Sequence, residues 1–115
     1  MSKFTQISLG NEPRIELKER LGLTGCEVSQ NTLPAGASVP FYHAHKQNEE
    51  LYIFLAGEGA IELDGETLSV RAGDAVRVAP SVMRKVSATS ELRFLCIQAK
   101  ENSLVQWSGD DGIMG

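Results

Sequence analysis

Two histidines and a glutamate lie close together in the middle of the chain, and imidazole and carboxylate groups are common ligands of divalent metals. His43 and His45 are the only histidines in the sequence. Because side chains two positions apart point to the same face of a strand, both imidazoles can aim at one point. Glu50 begins the next β-prone run and can reach that point from a neighbouring strand. This stretch therefore predicts a metal site; the alternative is a pair of solvated histidines in a turn.

The size and charge of the chain limit the classes of function. A length of 115 residues predicts one domain, large enough to fold without disulfides. The net charge of −4 argues against general affinity for nucleic acid or for an anionic membrane, since both need a basic field. The first residues show no basic-then-apolar leader and no apolar run is long enough to span a bilayer, so we expect a cytoplasmic protein. Cys26 and Cys96 are then expected to be reduced thiols; the alternative is a disulfide between them.

The elements that must position these residues are mostly short strands. A strand is predicted over residues 4–9, and a short helix over 14–21, which Asn11 and Pro13 begin and Gly22 ends. Further β-prone runs cover residues 26–33, 39–45, 50–55, 60–63, 67–70, 75–78, 84–88 and 92–99. The dipeptide Asp64-Gly65 predicts a two-residue hairpin. Many short strands at this spacing predict a sandwich or a barrel.

The run 50–55 is apolar on both faces after its first residue. Tyr52 and Phe54 share one face with Glu50, and the other face carries only aliphatic side chains. An antiparallel strand with water on one side would alternate polar and apolar residues. We therefore expect both faces to be covered, by the N-terminal segment or by a second subunit, and a homodimer is the predicted assembly.

From here the sequence resembles the cupin family of small β-barrels. The first cupin motif is matched by Gly36, His43, His45, Glu50 and Gly57. The second motif is matched in part by Gly65, Gly73, Asp74 and the stretch 78–84. The resemblance covers residues 25–99 and implies an all-β double-stranded β-helix, or jelly-roll barrel, here with a short N-terminal helix. It divides the chain into an N-terminal segment (1–24), a barrel (25–100) and a C-terminal tail (101–115).

One departure from the family pattern bears directly on the metal. Arg84 stands where the last metal-binding histidine of the family would be, and Ser81 replaces a glycine. A guanidinium has no lone pair to give a metal, and if Arg84 points inward its charge weakens metal binding and favours an anionic ligand. The alternative is a solvated charge at the rim. The predicted metal ligands are therefore His43, His45 and Glu50.

The residues and the resemblance together lead us to expect one of two functions. In the first, the three ligands hold Fe(II), Mn(II), Ni(II), Zn(II) or Cu(II), and the resemblance implies dioxygenase, isomerase or decarboxylase-type chemistry if the protein is an enzyme. In the second, no metal is bound and the barrel holds a carboxylate or sugar acid against Arg84. Tyr52 and Gln98 are further candidates for ligand contact, although Tyr52 and Cys96 are more typical of a core. In both cases the partner is a small molecule, not nucleic acid or membrane; a third possibility is a purely structural dimer.

Overall fold

The computed structural model describes residues 3–39 and 47–104, and this part of the chain is built almost wholly from strands. The elements are β1 (Arg14–Glu16), α1 (Lys18–Leu21), β2 (Glu27–Leu33), β3 (Ser38–Val39), β4 (Asn48–Ala56), β5 (Glu58–Leu63), β6 (Glu66–Arg71), β7 (Ala75–Val78), β8 (Arg84–Ala88) and β9 (Leu92–Lys100). Among the described residues no helix is long and apolar enough to cross a membrane.

The strands form two antiparallel sheets that face each other across the core. One sheet has the order β1-β2-β9-β4-β7 and the other β3-β8-β5-β6. Tyr52, Phe54 and Phe94 are at most 1% exposed between the sheets. Their ring centroids lie 5.5 to 6.4 Å apart, a spacing typical of stabilising aromatic pairs. The all-β jelly-roll prediction is thus confirmed, whereas closure into a barrel is not seen among the described strands.

Several sequence predictions about individual strands are confirmed. The structure gives β7 and β8 the predicted bounds, and it pairs Leu63 with Glu66 across the Asp64-Gly65 turn. Asp64 and Gly65 have φ values of 48° and 88°, which a two-residue hairpin requires and which these two residue types tolerate. Most of the run predicted over 39–45 lies outside the described residues. The division of the chain at residues 24 and 100 stays a prediction.

The predictions for the N-terminal segment are wrong in two places. Residues 4–9 form no strand, and Phe4 is 85% exposed. The helix predicted over 14–21 is reduced to the four residues of α1, because residues 14–16 form β1 along the edge of β2. Ile15 and Leu17 are buried while Glu16 between them is exposed, which is the alternation of a strand.

Gly57 joins β4 to β5 in a conformation that other residues adopt at a cost. Its φ is 87°, and a Cβ placed there would come within 1.8 Å of the carbonyl oxygen of Glu91. We expect Gly57→Ala to lower the free energy of unfolding by about 3 kcal/mol, measured by chemical denaturation. Gly65→Ala is the matched control, since Gly65 has the same φ sign and open space around it. Backbone strain alone should cost about 1 kcal/mol there, and equal losses in the two variants would contradict the steric argument.

Candidate functional site

Glu50 lies on the inner face of β4, at the end of the core. Strand alternation places it on the same face as Tyr52 and Phe54, and its neighbours across the sheet are Val78 and Gln98. The residue is only 4% exposed. A carboxylate in such a place needs a partner, because an unpaired buried charge is costly.

Arg84 supplies that partner from the facing sheet. Its Nη1 lies 2.7 Å from Oε1 of Glu50, and its side chain is fully buried. Its Nη2 donates to the backbone carbonyls of Ala79 and Val82, at 3.2 and 2.7 Å. The possibility that Arg84 is a solvated rim charge is therefore wrong: the guanidinium points inward and is held by the loop between β7 and β8.

Tyr52 completes the buried cluster. Its hydroxyl donates a 2.7 Å hydrogen bond to the same oxygen of Glu50 that Arg84 contacts. Burial raises the pKa of Tyr52, and the neighbouring Cys96 and Glu50 raise it further. Tyr52 is thus a protonated donor that belongs to the core, and it acts on Glu50 through its hydroxyl rather than by stacking on a ligand.

Cys96 lies opposite Tyr52 on β9 and is 8% exposed. Burial raises the pKa of its thiol from 9.0 to about 12, and the charge of Glu50 adds to this effect. The thiol is therefore protonated and unreactive at neutral pH. The expectation that Cys96 is a core residue is confirmed, and both cysteines are free of disulfides.

This pKa shift predicts a loss of stability in alkali. The folded protein keeps a proton on Cys96 that the unfolded chain releases near pH 9, so stability is full below that pH and falls as pH rises toward about 12. We expect the thiol to contribute a slope of about 1.4 kcal/mol per pH unit to the free energy of unfolding. Denaturation from pH 9 to 11 should show a slope smaller by that amount in Cys96→Ala than in wild type. A slope in Cys96→Ala equal to that of wild type would contradict the raised pKa of the Cys96 thiol.

Gln98 lies next to Glu50 across the sheet, half buried. Its Oε1 accepts a 3.0 Å hydrogen bond from Nδ2 of Asn48. Sequence reasoning named Gln98 but missed Asn48. The signal was present, because Asn48 is two positions before Glu50 on one strand and must share its face.

His43 and His45 lie outside the described residues, so the convergence of the three predicted metal ligands stays a prediction. Within residues 3–39 and 47–104, no three His, Cys, Asp or Glu side chains form a group that could hold a metal ion. The described part of the predicted ligand set also fits a divalent cation poorly. Glu50 is already neutralised by Arg84, and a second cation beside that guanidinium would be repelled.

Comparison with known proteins settles the family. The model of the cupin domain, Cupin_2, matches residues 30–98, more than half of the chain. The protein is a cupin. A solved cupin protein from Bacteroides fragilis is 46% identical, covers 100% of this chain and 99% of its own, and superposes with a TM-score of 0.90.

Two other relatives match over less of their length. A Thermotoga maritima protein described as a "predicted oxalate decarboxylase" is 28% identical, with 64% of each chain covered and a TM-score of 0.60. The uncharacterized protein MJ1618 of Methanocaldococcus jannaschii is 30% identical over 71 residues, which is 60% of this cupin but only 56% of the archaeal protein. These likenesses fit a small-molecule-binding cupin and do not specify its ligand.

Proposed function

We propose that this cupin binds a small polar molecule at a site built from His43, His45, Glu50 and Arg84, without a resident metal ion. The observation that carries the proposal is the buried contact of 2.7 Å between Arg84 and Glu50. A guanidinium in this position supplies the positive charge that a metal would otherwise bring to the carboxylate. The metal-bearing alternative requires Glu50 to hold a divalent cation beside the positive charge of Arg84.

The energetic argument concerns the buried carboxylate. Bringing a charge out of water costs several kcal/mol unless a partner offsets it. Arg84 and Tyr52 together give Oε1 of Glu50 two short hydrogen bonds, which is the kind of satisfaction that a buried ion pair needs. A metal ion bound to the same carboxylate would lie next to the fixed charge of Arg84. We infer that the affinity of wild-type protein for divalent metals is low.

The same contacts limit what Arg84 offers a ligand. The charge of Arg84 is balanced by Glu50, and two of its nitrogen atoms already donate to protein oxygens. Its buried Nε has no hydrogen-bond partner among the described residues. We propose that this N–H, together with the two imidazoles and Gln98, provides hydrogen bonds to a polar ligand, while the ion pair itself contributes no net charge.

The test measures metal content and ligand binding on one preparation. Protein purified without chelator is expected to hold less than about a tenth of an equivalent of any transition metal, with no change in His43→Ala. A thermal-shift screen of hydroxy acids, sugar acids and polyols is expected to find stabilising compounds whose effect survives prior treatment with 1,10-phenanthroline. About one equivalent of metal that His43→Ala loses would overturn the metal-free site. A screen in which no compound stabilises the protein would count against a binding function.

We also propose that two copies associate through the outer face of the five-stranded sheet. On this face Leu51 is 36% and Leu55 45% exposed, so residues 3–39 and 47–104 leave this side of β4 partly uncovered. Adjacent side chains from β9 continue the apolar surface, since Leu51 pairs with Ile97 across the sheet. Exposed apolar area of this kind is typical of an interface.

Sedimentation velocity tests the dimer. The double variant Leu51→Glu and Leu55→Glu is expected to shift the wild-type dimer to monomer at micromolar protein, because charges would be buried unpaired in the interface. Leu68→Glu is the matched control, since Leu68 is 42% exposed on β6 in the other sheet. A monomeric wild type, or a dimer that only Leu68→Glu disrupts, would show that this face is not the interface.

A further inference from the structure

A cleft of about 430 Å³ opens where the ends of β4 and β9 meet the segment before β2. Its lining includes Lys18, Cys26, Glu27, Asn48, Gln98 and Lys100. Gln98 connects the cleft to the buried cluster, because it is the neighbour of Glu50 on one side and of Glu27 on the other. The cleft therefore borders the buried cluster through Gln98.

The charges in this cleft differ from those of the buried cluster. Arg84 and Glu50 cancel each other inside, whereas two lysines oppose a single glutamate here. One oxygen of that glutamate, Oε1 of Glu27, already accepts a 3.1 Å hydrogen bond from the backbone N–H of Lys18. The net positive charge that an anion would meet on entering is thus located at Lys18 and Lys100 rather than at Arg84.

The polar groups between the lysines can recognise hydroxyls. The hydrogen bond from Asn48 to Gln98 uses one N–H of the first amide and the carbonyl oxygen of the second. The carbonyl oxygen of Asn48 and the amide nitrogen of Gln98 then remain to accept from and donate to a ligand. A pair of amides with one acceptor and one donor suits a hydroxyl group, which can do both.

We propose that this cleft binds the carboxylate of a hydroxylated organic acid, such as a sugar acid, with Lys18 and Lys100 facing the carboxylate and the Asn48–Gln98 pair facing the hydroxyls. The inference deepens the proposed function, because it assigns the charge selectivity of the site to the rim lysines. It predicts that the molecule enters with its polar chain toward Glu50 and its anionic end toward solvent.

Cys26 provides a probe that does not require the natural ligand. It lines the cleft and is half buried, so a small alkylating reagent that reaches it experiences the potential of the cleft. In the reaction the thiolate sulfur forms a bond to the methylene carbon of the reagent and iodide leaves with the electron pair. Iodoacetate carries a carboxylate and iodoacetamide is neutral. The ratio of their rates with the intact protein reports the potential in the cleft, because any change in the thiolate fraction cancels.

We expect the iodoacetate-to-iodoacetamide rate ratio at Cys26 to fall about threefold in the double variant Lys18→Gln and Lys100→Gln at low ionic strength. Lys18→Arg with Lys100→Arg should keep the wild-type ratio, and Lys3→Gln, at an exposed lysine outside the cleft, should leave it unchanged. Peptide mass spectrometry confirms that the adduct is on Cys26, since buried Cys96 should not react.

An unchanged ratio in the Lys18→Gln and Lys100→Gln protein would overturn the inference, as would an equal drop in Lys3→Gln. These readings are independent of metal content. If the protein holds a metal but shows the threefold change, the proposed metal-free function is wrong and the anion cleft is supported. If it holds no metal and the ratio is unchanged, the anion cleft is wrong and the metal-free function is not contradicted.

Discussion

Replacing Arg84 with methionine is expected to lower the free energy of unfolding by about 3–5 kcal/mol. The substitution leaves Glu50 in a place that is 4% exposed, with its charge no longer balanced by the guanidinium. It also leaves the carbonyls of Ala79 and Val82 without the donor that Nη2 provides. Methionine fills much of the volume of the arginine stem, so the loss reports mainly the charge and the hydrogen bonds. Urea denaturation of purified protein gives the measurement.

Two matched variants make this result specific. In Arg84→Met with Glu50→Gln the buried charge is gone, and the double variant should recover at least about 2 kcal/mol relative to Arg84→Met alone. Arg77→Met removes ion pairs of similar length, 2.8 Å to Glu49 and 2.8 Å to Glu101, but at a site where the arginine side chain is 56% exposed. An exposed ion pair contributes about 0–1 kcal/mol. The buried ion pair would be contradicted if the Arg84→Met and Glu50→Gln losses in unfolding free energy simply added in the double variant. It would also be contradicted if Arg77→Met and Arg84→Met lost the same amount.

The sequence predicted the strands well because local residue patterns determine them. The bounds of β7 and β8 and the Asp64-Gly65 hairpin depend on turn residues and on neighbours within the same run. The N-terminal segment shows the opposite case. Pro13 and Asn11 are good helix-start signals, but the open edge of β2 offered backbone hydrogen bonds to residues 14–16, and the buried pair Ile15 and Leu17 suits a strand.

Part of the candidate site was predictable from the sequence, but its contacts were not. Glu50 was identifiable from its spacing to the histidines, and Arg84 from its position in the cupin motif. Whether Arg84 pointed inward could not be decided locally, because its partner is 34 positions away in the chain and belongs to the facing sheet. The cluster also depends on a loop whose two backbone carbonyls accept hydrogen bonds from Nη2 of Arg84. The residue types of that loop do not predict this arrangement.

The same geometry predicts that one substitution introduces metal binding. We expect Arg84→His to bind Zn(II) or Ni(II) at least about a hundredfold more tightly than wild type, since it removes a fixed positive charge and adds an imidazole donor. The imidazole would come from the start of β8, the position from which Arg84 reaches Glu50. It would join Glu50 and the predicted ligands His43 and His45.

Isothermal titration of metal-free protein measures the effect, at a temperature where each variant is shown to be folded. Arg84→Gln separates the effect of the lost charge from that of the added imidazole, because it removes the charge alone. Its affinity for metal should lie between those of wild type and Arg84→His. Adding Glu50→Gln to Arg84→His should weaken binding again, since an amide oxygen replaces the carboxylate. Wild-type protein that binds zinc as tightly as Arg84→His would show that the guanidinium of Arg84 does not oppose a metal at Glu50. That result would contradict the view that arginine has taken over the charge-balancing role of the metal in this cupin.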